Sequence, residues 1–591
     1  MHDRCNVPGQ TGWGDVTAAG SPSDDEVDTG VNTGDGVDTG TGVDTGVGVE
    51  ADGGVEPDGP IGRFREELDP AVFLFGAGLT LGLILLYFVD PGTVEDGIGM
   101  LNGFMLDYFN WALLVIVFLI VTFLVFLILG PWGRLRLGDD KPEYSFLSFF
   151  AMLYSAGFAA GVVFWGPTEA LFYYDNPSPL FDVQGGTAEA IPLAVQQTLF
   201  HWAIPQLAVF TIMGIAIGYF AYNFESVPLR VSSALTPILG RENLDGPVAK
   251  LVDVLAVFAT IGGVATSLGF IGSQFVEGLA FQWGIDLGTT GVILVVTGMT
   301  LLFTVSMVLG VDRGIRRISN FNMVLFAALM LATFIVGPTA FLVLMGTEAI
   351  GGMFSDFVSM SLFTGAGTEG GTQWMNDWTV FYWAWALSWS PFAGLFIARI
   401  SRGRTVREVA FTGIAATSAA TIPWFTFVGG TAVYNQHHGI ADFGGVMAFE
   451  LGAEVSGFIL FEAFPLGSVF MIAFMILVTT FFITSADSST LAVSMMTTGG
   501  KAKPSNINRV FWGVVLGMTA AILMTLGGVD ALQSAAIITG APFAFVCLIA
   551  MVGLFRQFTA DGEPLLLQEE SWWVGEPPED DTRAAAGTDD D

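Results

Sequence analysis

The sequence predicts an all-α polytopic membrane protein with twelve transmembrane helices. Of its 591 residues, 52% are hydrophobic and 13% are charged, and the mean hydropathy is +0.63. Soluble globular domains carry about twice that charged fraction. The second observation is a series of long apolar segments, and the third is the position of the basic residues between them. Together these observations exclude a soluble protein.

Twelve apolar segments approach or exceed the length that a transmembrane helix needs, about 20 residues. They cover residues 71–89, 111–129, 146–174, 191–221, 250–278, 289–310, 319–345, 377–400, 408–434, 465–495, 508–528 and 533–555. Several of them are longer than a bilayer is thick, which predicts tilted or broken helices.

The basic residues predict the orientation of these segments. All 21 Lys and Arg lie in the two tails or at the connections that follow even-numbered segments. Connections rich in Lys and Arg stay on the cytoplasmic side of a membrane. We therefore expect a multi-pass protein of the plasma membrane with both termini in the cytoplasm.

Acidic residues are concentrated at the two ends of the chain. The net charge is −35, and 27 of the 56 Asp and Glu lie within residues 1–69 and 557–591. Residues 1–65 contain repeated VDTG-like units, which predict a disordered acidic cytoplasmic tail without a cleavable signal peptide. Residues 66–556 form the predicted twelve-helix domain, followed by a second short acidic tail. Only four residues are lysine, and an acidic, lysine-poor chain suits concentrated salt, so we expect a halophile.

Two of the segments contain residues that interrupt helices. The third has three glycines and a proline between residues 157 and 167, and the eighth has Pro391 and Gly394. Interrupted backbone at membrane depth is tolerated only where it lines a cavity or is buried in protein. We therefore predict that both interruptions face a binding site near the middle of the membrane.

The positions of the two interrupted segments also predict an internal repeat. They are five segments apart, an odd number, so they cross the membrane in opposite directions. Residues 146–345 and 377–555 then form two five-helix units of inverted topology, the LeuT-like architecture of alternating-access transporters. Between the units, residues 349–363 are too short and too polar to span and predict an interfacial helix on the outer side.

Aromatic residues near the interruptions are candidates for binding a cation through their π faces. The eighth segment contains Trp383, Trp385 and Trp389, and the fourth contains Trp202 and Phe210. Tryptophan near a helix end also forms the aromatic belt at a membrane interface, which is the interpretation that we favour for Trp383. Trp389 lies deeper and favours a binding role. The alternative for the whole segment is packing tryptophan beside an ordinary proline kink.

Hydroxyl groups and free carbonyls are candidates for holding sodium, because a hard cation prefers oxygen ligands. The run FFITSADSST places Thr484 and Ser485 on the tenth segment. They could face carbonyls freed around Ser155 and Phe158. The alternative is that these hydroxyls bond back to their own helix, which is the more common case.

Ionisable residues within a membrane are functional candidates by default. Asp487 could pair with Arg399 at the cytoplasmic end of the eighth segment, either as an inner gate or as a static structural pair. Glu169 is expected near the outer end, and His201 is expected to be a helix-packing group. No phosphate-binding loop, HExxH motif or Ser/His/Asp set is present in the sequence. We therefore expect neither an enzyme nor a nucleic-acid-binding protein.

The eighth segment, with SWSPFAGLFIARISRGRTVRE, resembles the signature of the betaine/carnitine/choline transporter family. Further matches are AGFAAGVVFWGPTEAL, HWAIPQ, ATIGGVATSLG and FFITSADSS, and the resemblance covers about residues 65–556. It implies a glycine betaine transporter-like protein, a twelve-helix homotrimer with the inverted repeat. It also implies uptake of trimethylammonium-type osmolytes, commonly together with sodium.

The resemblance carries over only part of the family's aromatic cage. Trp202 is kept and Phe210 replaces a tyrosine, whereas Leu207 and Ala386 stand where the family has two further aromatic residues. Each lost cation–π contact is worth roughly 1–2 kcal/mol when desolvated. A related zwitterion or a larger substrate therefore remains an alternative to glycine betaine. The substrate-binding residues implied by the resemblance are Trp202, Phe210, Trp385, Trp389, Gly157, Phe158 and Gly161.

The resemblance also implies sodium ligands. The residues of the first sodium site are Ser155, Phe158, Phe481, Thr484 and Ser485. At a possible second site Thr260 and Phe392 match, but Val264 replaces a hydroxyl-bearing residue. The expected function is import of a compatible solute by sodium symport, with sodium as coupling ion and no cofactor. The alternatives are sodium-independent exchange of such solutes and a membrane osmosensor or receptor without net transport.

Overall fold

The structure, a computed structural model, describes residues 59–560 apart from 158, 309–311, 448–451 and 502. Within this range the side chains of residues 60, 155–160, 289, 306–316 and 319 are not described. The chain divides into two units, Met1–Glu56 and Pro57–Asp591. The described residues begin within the predicted N-terminal tail, the end of which forms a short helix, Gly59–Glu67. Most of both predicted tails lies outside the described residues.

The described residues form helices and no strand, with one isolated antiparallel bridge between Arg136 and Thr405. The first helices are α1 (Gly59–Glu67), α2 (Pro70–Val89) and α3 (Pro91–Leu129). Asp69 and Asp90 cap α2 and α3 by accepting hydrogen bonds from backbone N–H groups, and a proline follows each cap. α2 exposes large apolar side chains such as Leu74 and Phe75. Such a surface suits contact with lipid rather than water.

The third predicted segment is interrupted, as expected, and consists of three short helices. They are α4 (Phe146–Gly157), α5 (Ala159–Trp165) and α6 (Glu169–Asp175). At the interruption, a Cβ on Gly166 would lie 2.2 Å from Trp424 Nε1. That indole nitrogen donates to the Val162 carbonyl at 2.9 Å. The absence of a side chain at Gly166 therefore lets a tryptophan from another helix reach the interrupted backbone.

The fourth predicted segment is also interrupted, and its two helices are α7 (Ala190–Trp202) and α8 (Ile204–Asn223). Ala203, between them, has the non-helical dihedral angles φ −95° and ψ −120°. Pro205 follows and lacks the N–H that would continue the helical hydrogen bonds across the junction. Trp202 consequently lies at a helix end inside the protein.

The central part of the chain differs from the predicted boundaries. Its helices are α9 (Thr236–Leu239), α10 (Pro247–Trp283), α11 (Gly288–Val308), α12 (Asp312–Val336), α13 (Thr339–Ser355) and α14 (Phe357–Ser361). α12 and α13 are bent by 109° at Gly337 and Pro338. The predicted boundaries of 319–345 for the span and 349–363 for the interfacial helix were wrong, because this Gly-Pro pair ends the helix at Val336.

The eighth and ninth predicted segments contain π-helical turns. Their helices are α15 (Gly371–Met375), α16 (Phe381–Ile400), α17 (Val406–Phe411), α18 (Thr417–Trp424) and α19 (Gly430–His437), and the π turns are Asn376–Val380, Thr412–Ala416 and Phe425–Gly429. π turns inside helices often occur at functional sites.

α16 runs through Pro391 without interruption, so the prediction of a break at Pro391 and Gly394 was wrong. Proline frees the carbonyl four residues earlier, that of Leu387. The Ser390 hydroxyl donates to this carbonyl at 2.7 Å, which keeps the helix intact. Gly394 serves close packing instead, because a Cβ there would lie 2.5 Å from Met213 Cβ on α8.

Replacement of Ser390 tests this compensation. We expect Ser390→Ala to lower the free energy of unfolding by about 1 kcal/mol, because the Leu387 carbonyl loses its buried partner. The measurement is the thermal midpoint of the purified protein in detergent. In the Pro391→Ala background the helix supplies its own N–H, so the same serine replacement should have little effect. Equal destabilisation in both backgrounds would contradict the compensation.

The last helices are α20 (Gly444–Met447), α21 (Ser456–Glu462), α22 (Gly467–Met496) and α23 (Asn506–Ala560). Within α23 the backbone leaves the helical conformation at Gly527 and Gly528, where Gly528 has φ 58°. This positive φ favours glycine. The interruption falls at the predicted boundary between the eleventh and twelfth segments.

Eight helical stretches of the described chain are long and apolar enough to cross a membrane, where residues 190–223, 371–400 and 406–437 each count as one stretch. The number is nine if the bent pair α12–α13 is one span. The fold is thus that of a multi-pass helical membrane protein. In the most apolar stretch of 371–400, 94% of the residues are buried, against 28% for α2. The tryptophan-rich segment is therefore central, and α2 is peripheral.

Candidate functional site

Tryptophans predicted on two distant segments meet at one place. Trp202 is the last residue of α7 and Trp385 lies on α16, and their ring centroids are 5.8 Å apart with the planes at 87°. Gly161 of α5 lies against both rings: a Cβ there would be 2.5 Å from Trp385 Cη2 and 2.8 Å from Trp202 Cη2. The third, fourth and eighth predicted segments therefore converge on this pair.

Further rings complete what we call the aromatic cluster, namely Trp202, Trp385, Phe381, Tyr382 and Phe425. Trp202 stacks on Phe425 with centroids 5.0 Å apart and meets Tyr382 edge-on at 5.5 Å. Phe381 stacks on Trp385 at 5.6 Å. All five side chains are buried. Phe381, Tyr382 and Phe425 were not among the predicted binding residues, although the first two lie in the same helix as the predicted tryptophans.

Two indoles of α16 are fixed by one carbonyl of α10. Trp385 Nε1 and Trp389 Nε1 donate to the Gly263 oxygen at 3.2 and 3.0 Å. Gly263 permits this contact because a Cβ there would lie 2.8 Å from Trp389 Cδ1. Trp383 is 1% exposed and packs against His201. Its assignment to an interfacial belt was wrong, because the segment is enclosed by other helices rather than by lipid.

Phe210 lies apart from the aromatic cluster. Together with Leu207 it lines a small enclosed space of about 10 Å³ that also borders Leu153 and Ala393. Such a volume holds at most about one water molecule. Phe210 is on α8, beyond the interruption at Ala203, and this separates it from Trp202.

The remaining predicted ligands near the interrupted third segment lie outside the described part of the chain or have side chains that are not described. Phe158 lies outside the described residues. The side chains of residues 155–160, which include Ser155 and Gly157, are likewise not described. The roles assigned to these three residues stay predictions.

A buried carboxylate lies directly behind the aromatic cluster. Glu169 begins α6 and is 0% exposed, and its expected position near the outer end stays a prediction. Its Oε2 accepts hydrogen bonds from Trp202 Nε1 and, at 2.7 Å, from the Tyr382 hydroxyl. Its Oε1 lies 2.9 Å from His201 Nδ1. Glu169 thereby joins α6 to α7 and α16.

His201 is a fully satisfied buried group, as expected of a helix-packing residue. Its Nδ1 lies 2.9 Å from the Tyr173 hydroxyl as well as from Glu169. Its Nε2 lies 3.2 Å from Gln197 Nε2 and 3.1 Å from the Thr379 hydroxyl. The ring stacks on Tyr382 at 4.6 Å. These polar contacts extend the network of Glu169 to the π turn that precedes α16.

The two hydroxyls predicted for sodium differ in their surroundings. Thr484 Oγ1 bonds back to the carbonyls of Thr480 and Phe481, both at 3.2 Å, and accepts from Asn322 at 3.3 Å. Ser485 is 5% exposed, and within the described part of the chain its hydroxyl has no hydrogen-bond partner. A buried hydroxyl without a partner is costly. It fits a position where a cation supplies the missing interaction.

The residues of the possible second sodium site are buried on different helices. Thr260 of α10 is 0% exposed, and its hydroxyl lies 3.9 Å from Met496 Sδ. Phe392 of α16 is 3% exposed and its ring is 5.7 Å from that of Trp389. A thioether is a poor partner for a hard cation. These contacts therefore give the second site no support beyond the sequence resemblance.

Asp487 forms a salt bridge with an arginine other than the predicted one. Its Oδ1 accepts from Arg509 of α23 at 3.2 Å. Arg399, at the end of α16, is exposed, whereas Asp487 is 7% exposed. The Arg399–Asp487 salt bridge predicted for the gate is thus not formed in this structure, because the start of α23 supplies the arginine. Asp487 is buried and paired, as an ionisable residue within a membrane is expected to be.

This fold and the aromatic cluster define a class, the multi-pass helical membrane proteins with buried aromatic side chains beside interrupted helices, an arrangement typical of secondary transporters. Residues 71–563 match the model of a family described as "BCCT, betaine/carnitine/choline family transporter". The chain belongs to this family. The resemblance seen in the sequence is confirmed, and the protein is a transporter rather than an enzyme.

Characterised relatives support the same assignment along most of the chain. The chain is 37% identical to the glycine betaine transporter OpuD of Bacillus subtilis (strain 168) over 493 residues, 83% of this chain and 94% of the relative. It is 34% identical to the ectoine/hydroxyectoine transporter of Virgibacillus pantothenticus over 512 residues, 86% of this chain and 99% of the relative. It is 35% identical to glycine betaine transporter 1 of Vibrio parahaemolyticus over 489 residues, 81% and 92% of the two chains.

Proposed function

We propose that this protein imports a compatible solute of the betaine, choline or carnitine type across the plasma membrane by sodium symport with alternating access. The observation that carries the proposal is the meeting of Trp202 and Trp385 against Gly161. Two indoles at a right angle, next to interrupted backbone, offer π faces to a cationic head group in a desolvated site. Relatives named for glycine betaine and for ectoine support a zwitterionic solute that carries a delocalised or quaternary cation.

The aromatic cluster supports a small solute bound mainly by Trp202 and Trp385. Leu207 and Ala386 offer no π face, and Phe210 borders a different space. Tyr382 and Phe425 supply the other rings around Trp202. We therefore assign the head group to the π faces of Trp202 and Trp385, in a conformation of the transport cycle in which the two rings move away from Gly161, because in this structure both rings contact it.

Sodium coupling is supported by the buried hydroxyl of Ser485, which has no hydrogen-bond partner within the described residues. It lies on α22 beside Thr484, as in the predicted first site. Sodium bound there, with carbonyls of the interrupted third segment, would favour the conformation that binds substrate. The described residues contain no group of three His, Cys, Asp or Glu able to hold a metal ion, so a site built of neutral oxygens is the remaining type.

The proposed mechanism uses twelve spans arranged as the inverted repeats 146–345 and 377–555, with both termini in the cytoplasm and three copies in the assembly. The interruptions between α4 and α6, and between α7 and α8, support movement of short helices around the aromatic cluster. In the second repeat the π turn 376–380 takes the place of the predicted break. The acidic chain ends support a halophilic cell, in which an imported solute balances external salt.

Uptake into proteoliposomes tests the proposed function. Labelled glycine betaine should accumulate when sodium is higher outside than inside, and should not accumulate in equimolar potassium. Uptake that requires only preloaded substrate would show an exchanger and contradict symport. No uptake of betaine, choline, carnitine or ectoine under either condition would favour a sensor without transport.

Replacement of Ser485 tests the sodium site. We expect Ser485→Ala to raise the sodium concentration for half-maximal uptake about tenfold, because one oxygen ligand is removed. The matched control is Ser489→Ala on the same helix, whose buried hydroxyl bonds back to the Ser485 carbonyl at 2.7 Å. That control should keep the wild-type sodium dependence. An identical sodium dependence of Ser485→Ala and wild type would contradict the site.

A further inference from the structure

The carboxylate behind the aromatic cluster is buried without an arginine or lysine partner among the described residues. The salt-bridge geometry there pairs Glu169 only with His201, at 2.9 Å. Both side chains are 0% exposed. A buried charge in a membrane protein is costly and marks a functional position by default. A glutamine would have nearly the same shape without that cost.

The partners of His201 show that the charge of Glu169 is not neutralised by the imidazole. Gln197 Nε2 lies 3.2 Å from His201 Nε2, and an amide nitrogen can only donate, so Nε2 is the acceptor. The ring proton is then on Nδ1, which donates to Glu169 Oε1 at 2.9 Å. His201 is therefore neutral. The Glu169 carboxylate thus accepts hydrogen bonds from an imidazole, an indole and a phenol.

Trp202 connects this charge to the aromatic cluster. Its indole N–H donates to Glu169 Oε2, while its ring meets Trp385 edge-on. An anion at the N–H polarises the indole toward its π face, where a cation binds. The carboxylate also attracts a cation directly, because charges in a poorly solvated interior interact strongly.

We propose that Glu169 is a positioning residue that determines specificity. Through Trp202 it makes the aromatic cluster select positively charged head groups over uncharged groups of the same shape. The inference rests on the proposed function, since it assumes a substrate with a cationic head group at the aromatic cluster. It assigns to Glu169 a role beyond joining α6 to α7 and α16, namely the counter-charge of the substrate.

A pair of ligands that differ only in charge separates this role from a structural one. Glycine betaine has a quaternary nitrogen, and 3,3-dimethylbutanoate has a quaternary carbon in the same position with the same carboxylate. The measurement is the dissociation constant of each ligand for the purified protein in sodium, by calorimetric titration. The quantity of interest is the preference, defined as the dissociation constant of dimethylbutanoate divided by that of betaine.

Glu169→Gln should weaken betaine binding about tenfold or more, since charge-assisted interactions of this kind are lost. Binding of dimethylbutanoate should stay unchanged or become tighter, because repulsion of its net negative charge is removed. The preference should therefore fall at least about tenfold. Glu169→Asp, which retains the charge, should keep most of the preference. If Glu169→Gln weakens the binding of both ligands equally, the proposal is overturned, and Glu169 has only the structural role of joining α6 to α7 and α16.

Two further variants make the test robust. Glu454→Gln is the matched control: Glu454 lies in a short 3-10 turn, Ala453–Val455, is 6% exposed, and burial raises its pKa. Its replacement should leave the preference unchanged, and an equal fall would overturn the specific role of Glu169.

Tyr382→Phe removes one donor from Glu169 but keeps the ring and the charge, so the preference should be kept or rise. The Tyr382→Phe measurement is informative even if Glu169→Gln does not fold. A fall in the preference of Tyr382→Phe would overturn the proposal.

The proposed function can fail separately from this inference. If the wild-type protein binds neither glycine betaine nor another cationic solute, the substrate class itself is contradicted. If wild type binds betaine and the preference is insensitive to Glu169→Gln, only the role of Glu169 is contradicted.

Discussion

Gly161→Ala is expected to abolish most substrate uptake. The added Cβ would lie 2.5 Å from Trp385 and 2.8 Å from Trp202, well inside van der Waals contact. Both rings are buried and cannot both retreat, because Trp385 is fixed to the Gly263 carbonyl at 3.2 Å and Trp202 to Glu169. Overpacking of this kind costs about 1–3 kcal/mol. We expect uptake of glycine betaine at low concentration to fall at least about tenfold.

The matched control for this change is Gly298→Ala on α11. A Cβ at Gly298 meets nothing within 4 Å, so the same replacement should leave uptake at the wild-type level. Both variants should have wild-type amounts of protein in the membrane, measured on the same samples. Normal uptake by Gly161→Ala would show that the two tryptophans need not approach each other as in this structure.

Trp202→Leu is expected to cause the second large loss, seen mainly as weaker binding. Leucine removes the π face, worth about 2 kcal/mol in a desolvated site. It also removes the indole N–H, leaving Glu169 with one donor fewer, at a cost of about 1–3 kcal/mol. The half-saturation concentration for betaine should rise roughly 100-fold. The measurement is the concentration dependence of initial uptake.

Trp111→Leu provides the comparison for that variant. Trp111 lies on the peripheral helix α3 and is 56% exposed. Its replacement therefore removes a tryptophan away from the aromatic cluster. Its half-saturation concentration should match wild type. A similar rise in both variants would indicate a general effect of tryptophan loss, and no rise in Trp202→Leu would remove Trp202 from the binding site.

Much of the membrane fold could be predicted from local sequence. Apolar length predicted a multi-pass helical membrane protein, of which the described chain shows eight or nine candidate spans, and the glycines near Gly161 predicted the interrupted third segment. The break predicted at Pro391 was wrong because one hydroxyl, that of Ser390, replaces the lost hydrogen bond. The end of α12 at Val336 was missed because hydropathy continues through Gly337 and Pro338. In both cases the individual backbone hydrogen bonds decide whether the helix continues, and apolar length does not reveal them.

The candidate site was predictable only in part. Trp202, Trp385 and Gly161 could be named because each lies beside a helix breaker or in a signature run. Their meeting, and the role of Glu169, depend on contacts between residues 33 to 224 positions apart in the chain. Pairing at such distances leaves no local pattern. The one available signal was an acidic residue directly after the interrupted third segment, followed later by the His201–Trp202 pair.

Equilibrium binding of labelled glycine betaine to the purified protein tests the central claim most directly. The account predicts one site per chain, tight binding in sodium and much weaker binding in potassium at equal ionic strength. It also predicts that Trp202→Leu loses this binding while Trp111→Leu keeps it. Betaine binding of equal strength in sodium and potassium, or full binding by Trp202→Leu, would contradict a sodium-coupled site at Trp202 and Trp385.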